Sequence, residues 1–210
     1  MYQTKSNFTE ETLEWPSYIP DGATKLIMGT FPTEASKRSY PFFYPNTDNS
    51  FWRVLAAIAT HELKYFEGDE AVHERKNILD KLNMGITDIG NKILRNGNSS
   101  LDADIFPMEF TDVFKILDET PTINKLIFTS STSKNSVLGW FQAYCQLNSP
   151  LRLSALDGSN NPKRCNILNY SRKVSVTIVH STSGAARRSF EELLEMYRFE
   201  ITPMDNLKKK

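Results

Sequence analysis

The sequence predicts an α/β fold, a three-layer α/β/α sandwich around a mostly parallel central sheet of about four strands. Three observations carry this. Short apolar runs bounded by turn residues alternate with longer stretches of helical periodicity. Strand then helix, repeated along one chain, favours parallel pairing with both sheet faces covered. The 210 residues, 40% of them apolar, suit one domain with a single well-buried core.

The first apolar run, KLIMGT (25–30), follows the turn pair Asp21-Gly22, and GITDI (85–89) follows a charged helical stretch. KLIFTS (125–130) follows Pro121, and KVSVTIVHS (173–181) precedes the last helix. Helices are expected at about 50–60, 69–83, 109–119, 133–147 and 185–197, with Ser133 and Ser183 as N-caps. RCNILNY (164–170), after the loop LDGSNNPK, can pair with the following strand as a hairpin and add an antiparallel edge. The domain is expected to run from 1 to 210, with flexible ends at about 1–15 and 203–210.

Lys plus Arg equals Asp plus Glu at 25 each, so global charge argues neither for nor against a polyanionic partner; AARRSF (185–190) and the terminal LKKK are the local basic pieces. The N-terminus carries acidic residues and no apolar signal core, and no uncharged apolar run is long enough to span a bilayer. No membrane partner is expected, and the chain is expected to work as a cytoplasmic monomer. Cys145 and Cys165 are too few for a disulfide framework or a four-cysteine cluster and read as core residues. His61, His73 and His180 lack metal-ligand spacing, so no metal site is expected.

In open parallel sheets ligands collect at the carboxyl ends of the strands, which makes the strand-to-helix loops the functional question. The loop after the first strand lacks GxGxxG and GxxxxGK[ST], so nucleotide phosphates have no direct support there. It offers instead Phe31, Tyr40, Phe42, Phe43 and Tyr44, with Pro32, Pro41 and Pro45 restricting the backbone. At least three of those rings are expected to be packing; rings left at the strand end suit a planar ligand such as a nucleobase. Asn46 and Asn49 each add a carboxamide, which matches a base edge, a held water or plain turn chemistry. Asp48 is a general base or a turn former. The last loop, VHSTSGAARRS, leaves a strand through small hydroxyl residues and enters a helix whose N-terminus suits a phosphate, with Arg187 and Arg188 in its first turn. His180 is either a donor to a leaving group or a satisfied strand-end histidine. Neither TSSTSK nor HSTSGA holds the GxSxG elbow of a serine hydrolase.

Taken in order, LIMGTFPTEAS, FFYPNTDNSFWRVLAAI, GITDIGNKILRNGNSSLDADI and IVHSTSGAARRSFEELL resemble the uracil-DNA glycosylase superfamily over roughly residues 25 to 195. The hypoxanthine-DNA glycosylases look nearest, with the mismatch-specific uracil/thymine glycosylases further off. The resemblance implies an enzyme that flips a deaminated base, uracil or hypoxanthine, out of DNA and hydrolyses its N-glycosidic bond without a metal or redox cofactor. Carried over by position, Tyr44 matches the aromatic that stacks on the base, and Gly29, Phe31 and Pro32 match the backbone that walls the pocket, with Asn46 beside them. Asn49 matches the asparagine expected to hold the water. Ser181, Thr182 and Ser183 match a loop that pinches the DNA backbone, and Arg187 a phosphate contact. Asp102 matches an Asp of the hypoxanthine branch and equally suits a helix N-cap. Three departures stand out. Asp48 replaces an Arg that would meet phosphate, Gly184 replaces a proline, and His180 falls one place after the position where some branches carry a donor His. The Asp48 and His180 departures favour the rival reading, a superfamily member that binds nucleic acid or a nucleobase without cleaving it.

Overall fold

The computed structural model describes residues 7–130, 135–148, 163–169 and 172–202. Its main sheet has five strands in the order β3 (Met84–Asp88), β2 (Lys25–Gly29), β6 (Lys125–Phe128), β8 (Arg172–Ile178) and β7 (Lys163–Asn169). The first four are parallel, with Ile27 opposite Ile86 and Ile127, and Phe128 opposite Ile178. β7 runs antiparallel to β8 as the outer edge. The sheet therefore exceeds the expected four strands by the hairpin edge.

Side-chain alternation divides the core in two. Ile27, Ile86 and Ile127 point to one face, where α1 (Phe51–Ile58), α2 (Gly68–Leu82) and α5 (Phe190–Ile201) bury Phe51, Leu55, Ile78, Leu193 and Tyr197. Leu26, Met28, Leu126, Phe128 and Val176 point to the other, against α3 (Val113–Glu119) and α4 (Val137–Leu147). Cys145 and Cys165 are buried free thiols in that second cluster.

A second, antiparallel sheet of three strands lies beside the first, ordered β1 (Phe8–Thr12), β4 (Gly90–Asn96), β5 (Ile105–Phe110). This corrects two expectations. Residues 90–107 were expected as a loop, and residues 8–12 as part of a flexible end; pairing of Phe8 with Asn96 and Thr12 with Lys92 orders the latter. Both strands have one face in solvent, so their apolar signal is weak. Glu11 of β1 pairs with Arg95 of β4, which is 1% exposed, and with Arg38.

Helix boundaries shift where a cap decides them. α4 starts with Ser136 accepting from Gly139 N, while Ser133 lies outside the described residues. The last helix begins at Phe190 rather than near 185, because Ser189 and Glu192 form a reciprocal capping box. Ser183 caps instead a single 3₁₀ turn, Gly184–Ala186. Residues 109–112 finish β5 and the turn into α3, so that helix starts at Val113. No helix among the described residues is long and apolar enough to cross a membrane.

Candidate active site

β2 is followed in sequence by β3 on one side of it and then by β6 on the other, so the connections leave the β2/β6 boundary toward opposite faces. Such a switch point opens a crevice at the carboxyl ends of the strands. A cleft of about 530 Å³ lies there. It takes Gly29 from the end of β2 and Thr30 just past it, Asp88 from β3, Thr129 and Ser130 from just past β6, and His180 and Ser181 from beyond β8. Its volume is that of a small-molecule site.

Most of the residues singled out by the sequence meet in this cleft. Gly29, Phe31, Pro32, Tyr44, Asn46, Asn49, Asp102, His180, Ser181, Ser183 and Arg188 all line it. Tyr40, Phe42 and Phe43 are core residues at 6%, 3% and 0% exposure, which leaves Phe31 and Tyr44 as the cleft's rings.

Tyr44 is held from several directions. Its backbone is left-handed at φ 50°, a strained conformation for a residue with a side chain, and Tyr40 Oη donates to its carbonyl at 2.8 Å. Its ring stacks on Phe51 at 3.7 Å between centroids. The proton of Thr129 Oγ1 goes to Met28 O, so Tyr44 Oη is the donor in its 2.8 Å bond to Thr129 Oγ1. Burial, reinforced by Asp88, raises the Tyr44 hydroxyl far above its ordinary range and keeps it protonated.

Gly29 is explained by what surrounds it. A Cβ there would lie 2.2 Å from Asp88 Oδ1 and 2.9 Å from Tyr44 Oη, so only glycine leaves both groups their place on the cleft floor. Asp88 itself was read only as part of a strand; the signal available was an acid ending an otherwise apolar run. It is 4% exposed, and its carboxyl group has no hydrogen-bond partner among the described residues. Burial first, then the charge of Asp102, raises Asp88 from 3.8 to about 7, with Arg38 opposing. Asp102 is raised to about 6 by burial, with the Thr30 hydroxyl bond at 3.2 Å and Arg95 opposing. Asp102 sits within a 3₁₀ turn, Asp102–Asp104, and does not cap α3, whose cap is Asp112.

The first and last loops are bonded to each other. Asn49 Oδ1 accepts from Thr182 Oγ1 at 2.6 Å and from Phe51 N at 3.0 Å, and Ser50 N donates to Thr182 O at 3.1 Å. The Asn49 carbonyl thus supplies the N-terminal cap that the Ser50 side chain does not make for α1. What remains for the cleft is the Nδ2 amide, a donor only. Thr182, expected at the DNA surface, is 2% exposed and turned inward to hold Asn49, so its side chain is not available to DNA.

His180 is half-buried, with its backbone carbonyl accepting from Tyr197 Oη at 2.8 Å. Burial, then Arg188, push its pKa down and so favour the neutral imidazole, with Glu192 opposing. Arg187 caps the 3₁₀ turn at φ 50°, exposed and outside the cleft lining, while Arg188 reaches the lining. Neither lies in the first turn of α5, which holds Glu191 and Glu192 instead. Asp48 is exposed and outside the cleft lining.

Fold and site together define a mixed α/β protein with a cleft at the carboxyl ends of four parallel strands. No family model matches the chain, and no curated protein matches it. Solved structures do. One is the solution NMR structure of a "putative Uracil DNA glycosylase" from Methanosarcina acetivorans, with a TM-score of 0.56 and 18% identity, covering 88% of this chain and 95% of that one. At that identity the likeness is one of fold.

Proposed function

We propose that the protein is a monofunctional DNA glycosylase that hydrolyses the N-glycosidic bond of a deaminated base and leaves an abasic site. The observation that carries this reading is one cleft that joins two aromatic walls, an amide donor and a buried carboxyl group raised to about 7. The fold it shares with a structure described as a "putative Uracil DNA glycosylase", and the sequence resemblance to that superfamily, support the same reading.

In this mechanism the base leaves the stack and lies against Tyr44 and Phe31, over the gap at Gly29. The glycosidic bond breaks with its electron pair going to the base. Asn49 Nδ2 and the neutral His180 imidazole are the N–H donors for the charge that develops there. The water oxygen bonds to the sugar carbon, and its proton goes to the Asp88 carboxylate. Asn49 was expected to hold the water; with its carbonyl committed to Thr182 and Phe51 N, the acceptor role passes to Asp88 in this proposal. A general base near 7 combines useful ionisation with useful basicity at neutral pH. Ser181, Ser183 and Arg188 on the rim contact the DNA backbone.

The test is single-turnover cleavage of oligonucleotides carrying uracil, hypoxanthine or a T:G mismatch, single- and double-stranded. Alkali-labile product from wild type, lost in Asp88→Asn and reduced in Asn49→Ala, supports the reading. Folded protein that binds DNA in a salt-dependent way but yields no product from any substrate makes it a binding protein instead.

A further inference from the structure

We propose that Leu101 is the side chain that fills the base stack when a nucleotide is drawn into the cleft. The inference rests on the glycosylase reading. Extruding a base leaves a void between two base pairs, and proteins that open DNA commonly place an apolar side chain there. The loop that faces DNA beyond β8 has no apolar side chain of that length, since Ser181, Ser183, Ala185 and Ala186 are too short to reach into a stack and Arg188 is a charged group suited to phosphate. The opposite lip carries Leu101, 58% exposed. Among the described residues lining the cleft, it is the one large apolar side chain that stands in solvent; Phe31 and Tyr44 are half-buried and Pro32 and Pro45 buried.

A single exposed leucine means little by itself. This one sits on a braced turn. Leu101 N donates to Ser99 Oγ at 3.2 Å, Ser99 Oγ donates to Asp104 Oδ2 at 2.6 Å, and Asp104 N donates back to Leu101 O at 3.0 Å. The buried Arg95 holds Ser99 O at 2.6 Å, and Thr30 holds the neighbouring Asp102. A wedge fixed in advance loses little entropy on binding. Lys37, whose Nζ lies 3.1 Å from Ser100 Oγ, adds a cation for phosphate at the same lip.

The experiment compares wild type, Leu101→Ala and Leu101→Phe on one deaminated base in single strand and in duplex. In parallel, a fluorescent purine analogue is placed next to the target base, where its emission rises as its neighbour leaves the stack. Leu101→Ala is expected to lose about tenfold more rate on duplex than on single strand, and Leu101→Phe to recover most of it. Equal losses on the two substrates, no loss, or a wild type confined to single strands would overturn the proposal. Absence of cleavage by wild type on every substrate overturns the glycosylase reading instead. Emission then decides on the wedge: a rise that Leu101→Ala diminishes sustains it, and an unchanged or absent rise ends it.

Discussion

Asp88→Asn should make the protein more stable at pH 8 and leave it almost unchanged near pH 4. In the folded chain the Asp88 carboxyl titrates at about 7, against 3.8 for the free side chain. Between those values the unfolded chain has released its proton and the folded one has kept it, so stability falls as pH rises through the window from about 4 to about 7. Above it, the buried carboxylate costs at most about 4 kcal/mol. Water reaching the open cleft reduces that figure, and about 2 kcal/mol is the smallest result consistent with the reasoning. Asparagine has nearly the same shape and no charge, so the substitution removes the cost. For a chain of this size that is a rise of about 5 to 15 °C in Tm at pH 8. The assay is thermal or urea unfolding of both proteins from pH 4 to pH 8. A wild-type stability flat over that range, or a variant no more stable at pH 8, would refute the account of Asp88. A stability gain accompanied by lost cleavage is the pattern expected where a group is retained for chemistry at the fold's expense.

Gly29→Ala places a Cβ 2.2 Å from Asp88 Oδ1, so a loss of about 1–3 kcal/mol is expected in unfolding experiments, partly recovered in the double variant with Asp88→Ala. Arg95→Met removes the donors to Glu11, Pro32 O and Ser99 O and leaves Glu11 with Arg38 alone, and should cost about 1–3 kcal/mol of stability by urea titration. Thr182→Val breaks the 2.6 Å bond to Asn49; we expect a loss of about 1 kcal/mol and a larger drop in single-turnover rate than in DNA affinity, because the Asn49 amide is then free to turn.

Much of the fold was legible because it is written in local patterns. The runs at 25–30, 85–89, 125–130 and 173–181 carry the four parallel strands, and RCNILN of the run RCNILNY lies in the antiparallel edge, its Tyr170 falling outside the described residues. The second sheet was not legible, since β1 and β4 are held by distant pairing and by Glu11 meeting Arg95, neither of which leaves a periodic apolar trace. Likewise, the start of α5 was decided by Ser189 and Glu192, which place it at Phe190, about five residues past the point where helical periodicity alone suggested it.

For the site, the sequence by itself determined which loops matter and which residue types they carry, because strand-end position and aromatic or carboxamide content are properties of a segment. Only the tertiary structure decided direction. Whether an Asn presents its carbonyl or its amide to a cleft depends on what bonds the other end, and here Thr182, 133 residues away, takes the Asn49 carbonyl. The state of Asp88 was equally out of reach. Burial in the folded chain is the main cause of a carboxyl pKa near 7 here, and the charge of Asp102, brought in from another loop, adds to it.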